Sequence, residues 1–591
     1  MTGTPSPPPP AAPNGLVVAA AAFLPGALLG THVGGLIFFL NPELPFGVAP
    51  LARGIVVYAM LVGTLGAAAS LPWLWRRPGR ARRWLPWGLT LALAAAALLD
   101  WGHASHYAFF LPPGINRRLI KAALALTAAA LIAFYTALLH SLSGRGYGPR
   151  SRLGYAALAL VSVAVMVERR DAFRPGPPSS PRPSLVEAAN RPRLLVVGLE
   201  GATHDALLPL AGQGRLPFLA AVLEGGANAR LRSIAPFRRQ ALWATLATGK
   251  YPYKHGLLAD EKVRVRFLGR DAALEVLPAG LAFSAWGTFG RTPRPVDGGE
   301  REAMALWEVL PRLGVASGVV GWPGSHPAPT EPLFALSDRY FAAPATPGAV
   351  QPPGLAARAR FFRLRPDEVD PLLLPAADPG LPRVAERALA DDLWRQGLAS
   401  MLLQQHRDLD ALFIQLDGLG TVSRADLGGY AAVQFEGEQG EEAQRAARRV
   451  AAYYAHLDLF LSRLWERTPP PKLLAVVSAY GAEPPQGWRR LWRQLGSGDP
   501  SGAGFDGSPD GVLLLYGEGI QPGVLLTGAD LVDVVPTLVY GAGLPIARDL
   551  DGQVLTGAFR RSFLASHPLT FLPSYETLEE VDGGKAASIE R

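Results

Sequence analysis

The sequence predicts an α/β protein with a largely parallel, doubly wound sheet, preceded by an all-α transmembrane region. Three observations carry this. Residues 15–167 hold long uncharged apolar runs, residues beyond 193 alternate short apolar runs with helical periodicity, and a Pro- and charge-rich stretch at 168–192 separates the two. The expected order is a disordered tail (1–14), a membrane region of about five helices (15–167), a semi-extended linker (168–192), the α/β domain (193–566) and a C-terminal tail (567–591). The segment 258–380 breaks the strand–helix alternation and is expected to contain a cap or insertion over the strand ends.

The membrane region comes first. No charged residue precedes Glu43, and "GLVVAAAAFLPGALLGTHVGGLIFFL" (15–40) is longer than the roughly 20 apolar residues that cross a bilayer. It lacks the basic start of a signal peptide and reads as a retained span. Uncharged runs follow at 54–75, from Trp84 to Leu99 or on to Leu111, and at 122–142; a marginal fifth lies at 153–167. The basic loop "RRPGRARR" is flanked by Trp73, Trp75, Trp84 and Trp87, which suits the headgroup level of a cytoplasmic face. With five spans the soluble half then lies outside, and a bacterial inner membrane is the expected compartment. Against this, Arg117, Arg118, Lys121, Arg169, Arg170 and Arg174 would also lie outside. Asp100, His103 and His106 recur at near-helical spacing: they form either a small metal or proton site or, the preferred reading, an interfacial group that meets water. His32 and His140 read as packing or interfacial residues.

Composition narrows the partners. With 591 residues the chain can bury more than one core, and with no Cys it has neither disulfides nor thiolate metal sites. The net charge of +8 is dispersed and almost all Arg, without a basic, aromatic-interleaved stripe, so nucleic acid is not an expected partner.

In the soluble half, "RLLVVGLE" (193–200), "ARLRSI", "VASGVVGWPG", "ALFIQLD" (411–417), "KLLAVVSAYG" and "GVLLLYGEGI" read as buried strands. Helical segments at 383–408 and about 441–466 lie between them. Continuous rather than alternating apolar strands argue for a sheet covered on both faces.

Taken together in order, "LLVVGLEGATHDALLPLAGQGRLPFLAAVLEGGA", "LWATLATGKYPYKHGL", "GVVGWPGSHPAP", "VVSAYG" and "PDGVLLLYGEGI…GADLVDVVPTLVYGAGLPIARDLDGQVL" resemble the alkaline phosphatase superfamily, in its type I phosphodiesterase/nucleotide pyrophosphatase branch, over roughly 193–560. The resemblance implies an alkaline-phosphatase-like sheet. It also implies a site with two metal ions, usually zinc, held by Asp and His, and a Thr or Ser nucleophile.

Position by position, this chain departs from that pattern. The first-strand Asp is Glu200, and the nucleophile, counted back from Trp243, is Arg239, which stays protonated and cannot attack phosphorus. Asp417 is kept, but the His expected four residues later is Thr421. The Asp-His pair of the next strand is Ala479 and Tyr480, and the last His falls at Gly507; no His occurs from 457 to 566. These vestigial positions leave two carboxylates where each zinc takes roughly three or more protein ligands. No metal is therefore expected, and no catalytic residue is assigned. Arg239 is expected to pair with Glu200 or Asp417 in place of the lost cations, since bare buried carboxylates are costly; the competing reading makes Arg238 and Arg239 solvated loop residues.

Among other candidates, His255 reads as structural, His326 as a turn residue that could touch a ligand, and Asp205 as a helix N-cap rather than, with His204, a metal ligand. His406, His456 and His567 receive no role. The function expected is a membrane-anchored pseudoenzyme, a binding or assembly module with an anionic ligand or a protein as partner beside the lipid bilayer. One alternative is an active metal-dependent hydrolase or transferase on phosphate or sulfate esters, with two zinc ions and a nucleophile such as Ser233 or Thr245. Another places the function in the spans, as a transporter or lipid-handling unit.

Overall fold

The computed structural model describes residues 15–44, 47–167, 191–269, 272–277, 291–365, 383–484 and 509–578. The chain divides into two units: Met1–Arg174 with Glu261–Pro295, and Pro175–Asp260 with Val296–Arg591. The linker at 168–190 and Gly507 lie outside the described residues.

The first unit contains α1 (Gly15–Leu40), α2 (Val48–Arg76), α3 (Ala81–His106), α4 (Pro113–Ser143) and α5 (Pro149–Val167). Among the described residues, α1 to α4 are long and apolar enough to cross a membrane. The fifth helix is present, but its uncharged part, 153–167, spans only about 22 Å. Glycines spaced four apart place α1 against α2. A Cβ on Gly26 would lie 2.6 Å from the Val62 carbonyl oxygen, and one on Gly30 only 2.2 Å from that of Tyr58. Small residues at this spacing let two backbones touch, the usual route to helix pairing in lipid. The α5 helix runs with its neighbours: Tyr155 donates to the Ala133 carbonyl at 2.7 Å, and Ser162 meets His32 at 3.2 Å. Asp100 and His103 are buried, with His103 Nδ1 on the Leu99 carbonyl at 2.7 Å. No group of three or more His, Asp or Glu that could hold a metal occurs among the described residues.

The same unit includes a short antiparallel sheet of Glu261–Arg264, Ala273–Leu274 and Arg294–Pro295. Val263, Val265, Leu268 and Leu274 share one apolar core with Ile37, Phe38, Leu51 and Tyr58. Buried Asn41, just past α1, acts as a substitute strand partner. Its Oδ1 accepts from the Glu275 and Val276 N–H groups at 2.8 and 2.9 Å, and its Nδ2 donates to the Val276 carbonyl at 2.7 Å.

The second unit is built on nine strands: β1 (Arg193–Leu199), β2 (Ala227–Leu231), β3 (Ser317–Val320), β4 (Phe334–Leu336), β5 (Val350–Gln351), β6 (Ala411–Leu416), β7 (Lys472–Ser478), β8 (Gly511–Gly517) and β9 (Val524–Leu526). In space they run β9-β2-β8-β7-β1-β6-β3-β4-β5. β8 is antiparallel to β7 and β2, β5 is antiparallel to β4, and every other neighbouring pair is parallel. The fold class is thus a mixed α/β unit with a mostly parallel sheet. Its central strands β1, β6 and β7 are buried along nearly their whole length, as a sheet covered on both faces requires.

Around the sheet lie α6 (His204–Gly212), α7 (Arg239–Thr248), α8 (Arg383–Gln405), α9 (Gly418–Glu436) and α10 (Glu441–Arg467). Three expectations change here. The segment 258–380 is not one cap: 317–351 supplies three sheet strands, while 261–295 belongs to the helical unit. Thr203, not Asp205, caps α6, accepting from the Asp205 N–H at 3.3 Å, while Asp205 pairs with Arg230 at 2.8 Å. The second unit also runs past residue 566: Phe571–Leu572 pairs with Ile546–Ala547, and Glu576 holds Lys250 at 2.7 Å.

Candidate functional site

Parallel pairing of β1 with both β6 and β7 brings three strand ends to one edge of the sheet. Leu199 and Leu416 are partners in register, so Glu200 and Asp417 leave their strands side by side; β7 delivers Ala479 and Tyr480 beside them. Such an edge is where parallel sheets present ligands. Glu200 has room there because α9 offers a glycine: a Cβ on Gly420 would stand 2.7 Å from Glu200 Cγ.

Arg239 opens α7 and reaches into this edge. Its Nε donates to Glu200 Oε2 at 2.7 Å, and its Nη2 bridges Glu200 Oε2, at 2.6 Å, and Asp417 Oδ1. Charge-assisted bonds to two carboxylates fix a planar guanidinium in position and direction. The other Asp417 oxygen accepts from Arg395 Nη2 at 2.6 Å, and Arg395 also lies 3.3 Å from Asp392. Buried Asp392 accepts from the N–H groups of Asp417 and Gly418, each at 3.0 Å, and from the Tyr453 hydroxyl at 2.7 Å. It therefore holds the start of α9, and with it Asp417, in place.

Arg424 adds a third guanidinium, 3.6 Å from the other Glu200 oxygen, so three guanidiniums face the carboxylates of Glu200, Asp417 and Asp392. Burial pushes the Glu200 carboxyl up, opposed by Arg239 and aided by Asp417. Burial also pushes Asp392 up to about 7, against the pull of Arg395. Asp417 is half-buried, and Arg395 and Arg239 together hold it well below the usual carboxylate range against the desolvation that opposes them. Asp417 is the settled anion of the cluster.

Among the described residues, the remaining expected positions bring no donor toward a cation. Ala479 is buried and uses its backbone carbonyl to accept from Ser233 Oγ at 3.0 Å. Tyr480 is fully buried, edge-on to Phe237 at 4.7 Å and to Trp243 at 6.4 Å. Burial, then the Glu200 charge, push its phenol well above the ordinary value, so it stays protonated. Thr421 lies in the first turn of α9, half-buried, with its N–H on the Asp417 carbonyl at 3.4 Å. Arg238 N-caps α7 and its guanidinium donates to the Phe237 carbonyl at 3.3 Å.

The histidines lie elsewhere. His255 Nδ1 accepts from the Leu257 N–H at 3.2 Å and Nε2 meets Thr245 Oγ1 at 3.0 Å. Thr245 donates in turn to the Ala241 carbonyl at 2.9 Å. His255 is thus the neutral Nε2–H tautomer, and burial lowers its pKa to about 3. Thr245 is fully buried within this chain of bonds, which leaves no room for it as a nucleophile. His326 is half-buried, 3.5 Å from Ser337 Oγ.

The partners missed from the sequence are Arg395, Asp392, Tyr453 and Gln415, the last 3.4 Å from Glu200. "ADDLWRQ" did hold a signal: Asp392 and Arg395 are three apart, so on a helix they share one face.

The type I phosphodiesterase / nucleotide pyrophosphatase family model matches residues 194–491. The chain belongs to that family. No curated protein matches it. Among solved structures, wild-type alkaline phosphatase PafA aligns over 63% of this chain and 100% of its own, at 11% identity and a TM-score of 0.41. A phosphonate monoester hydrolase from Silicibacter pomeroyi aligns over 63% and 78%, at 15% identity and a TM-score of 0.36.

The pair of metal ions that family membership implies does not fit the residues described here. Both Asp417 oxygens are engaged by guanidiniums, and a cation already bridges Glu200 and Asp417. The Ala479 side chain has no donor atom, and a phenol held protonated, as in Tyr480, is not among the Cys, His and carboxylate ligands that bind zinc.

Proposed function

We propose that this chain is a membrane-anchored, catalytically silent member of the type I phosphodiesterase/nucleotide pyrophosphatase family, kept as a binding or assembly module. One observation carries the reading: at the position expected for the nucleophile stands Arg239, its guanidinium bridging Glu200 and Asp417. A protonated guanidinium has no nucleophilic lone pair, and its charge opposes entry of a second cation. The two hydroxyls considered in its place do not rescue the chemistry: Thr245 is sealed inside the unit, and Ser233 is bonded to a backbone carbonyl.

The test is metal analysis and phosphodiester hydrolysis on the full-length chain in detergent, with bis(p-nitrophenyl) phosphate as substrate. The reading expects zinc well below stoichiometric and no turnover above buffer. Stoichiometric zinc with turnover abolished by a chelator overturns it.

For the membrane half, the reading places the N-terminus and the basic loop at 76–83 in the cytoplasm of a bacterial cell and the soluble half outside, with α5 as a fifth crossing. Supporting this, α5 packs along α4 and α1 through Tyr155 and Ser162. The native chain has no Cys, so single-Cys variants at Ser6 and Ser566 report sidedness cleanly with an impermeant thiol reagent. Labelling of both from the same side refutes the fifth crossing.

A further inference from the structure

The α8 and α10 helices leave between them a groove of ≈ 550 Å³. That lies in the range of small-molecule sites, roughly 300–1,000 Å³. Its lining residues run from Leu393 to Gln404 on α8 and from His456 to Arg467 on α10, at intervals of three and four. Each stripe spans twelve residues, about 16 Å of helix from first to last. Leu393, Met401, Leu459 and Phe460 line it, and Phe362 closes one side, its ring 2.9 Å from where a Cβ on Gly397 would stand.

This stripe is separate from the one that builds the core. The α10 core face is Val450, Tyr453, Tyr454, Leu457, Leu461 and Leu464. The groove face lies beside it, and Leu459 there stays 43% exposed. None of the lining residues belongs to the Glu200–Asp417 cluster.

Charge distinguishes the end of the groove. Upstream on α10, Arg445 faces Glu441 at 3.4 Å and Arg449 binds Asp426 at 2.5 Å. Arg463 and Arg467, which line the groove, are exposed and have no acidic partner among the described residues. Glu466, between them in sequence, accepts from Ser462 at 3.1 Å. The charge of Arg463 is felt at buried His456, adding to the effect of burial in lowering its pKa to about 4.

We propose that this groove binds a long-chain fatty acid, with the acyl chain laid between Leu393–Met401 and Leu459–Phe460 and the carboxylate held by Arg463 and Arg467. Size favours a single chain over a docked helix. A helix of about 10 Å diameter over about 16 Å occupies roughly 1,250 Å³, more than the ≈ 1150 Å³ of atom-free space in the groove, part of which is open to solvent. The two free guanidiniums select an anionic head over a neutral one.

The experiment places the full-length chain in phosphatidylcholine nanodiscs, with palmitate carrying a photoreactive diazirine near its tail. Adducts are mapped by mass spectrometry. Adducts are expected on peptides covering 393–404 and 456–467. Labelling there should fall about tenfold in Arg463→Glu/Arg467→Glu and about tenfold with the matching fatty alcohol, as loss of a charged head contact implies. Ser400→Trp, which fills the groove, should abolish it while the melting temperature holds. Adducts confined to residues 15–167, equal labelling of wild type and Ser400→Trp, or labelling indifferent to both head charge and charge reversal would each overturn the proposal.

Discussion

Arg239 Nε lies 2.7 Å from Glu200 Oε2, so the residue at the nucleophile position is a donor to the residue at the first ligand position. That one bond converts a pocket that would need an outside cation into one that carries its own. Its consequences can be measured.

Removing the guanidinium leaves Glu200 and Asp417 facing each other. Fully buried pairs lose roughly 3–5 kcal/mol when one partner is deleted, and the partial exposure of Arg239 and Asp417 lowers this to about 2–3 kcal/mol. Arg239→Met should lose that much in urea denaturation, and Arg239→Lys about half, since an ammonium keeps the charge but not the fork. A variant as stable as the parent means the bridge does not hold the strand ends.

The buried histidines make stability depend on pH. Burial lowers the pKa of His204 to about 4, of His255 to about 3 and of His456 to about 4. The unfolded chain takes up these protons below about 6.5, while the folded chain refuses them, so their contribution is complete above that pH and is lost as pH falls toward the folded values. Glu200 and Asp392, both raised, act oppositely, losing stability as pH rises above the ordinary carboxylate range. A difference measurement isolates one group. His456→Gln should gain about 2 kcal/mol relative to wild type between pH 7.5 and pH 4.5. A constant difference across that range refutes the assignment.

Asn41→Leu keeps the volume and deletes the bonds. The Glu275 and Val276 N–H groups lose their acceptor, at about 1–3 kcal/mol each. Hydrogen exchange at 272–277 should accelerate by at least tenfold. Unchanged exchange there means the strand does not depend on this side chain.

Gly30→Val drives a side chain into the Tyr58 carbonyl, where even a Cβ would stand 2.2 Å away. Neither backbone can yield without parting α1 from α2. Overpacking of this kind costs about 1–3 kcal/mol, so the helical unit should melt several degrees lower, with Gly30→Ala intermediate. Equal melting of all three forms refutes the close contact.

The sheet was largely legible in the sequence because its strands are continuous apolar runs ending at Glu200, Asp417 and Ser478, and a parallel sheet aligns such ends. The bridge by Arg239 was one of two readings the sequence left open, beside a solvated loop, and the geometry of Glu200 and Asp417 decides for it. Asp392 and Arg395 were not: charged residues on an amphipathic helix read as its wet face, and only tertiary packing turns that face inward. The Glu261–Pro295 segment misled for a different reason. Its one alternating run, Lys262 to Phe267, is short, and its partner Asn41 lies more than two hundred residues away in sequence. Asp205 looked like a cap because Thr203, two residues earlier, competes for the same role.

Asp417 is claimed by two arginines that rise from different helices, and this sets how easily the pocket could change. A hydroxyl regained at position 239 strands an acid; an imidazole gained at 480 is buried beside a guanidinium; an acid gained at 479 adds repulsion. Each first step loses stability and returns no reactivity, so selection acting one substitution at a time meets a ratchet, and only several coordinated replacements would let the locus turn back.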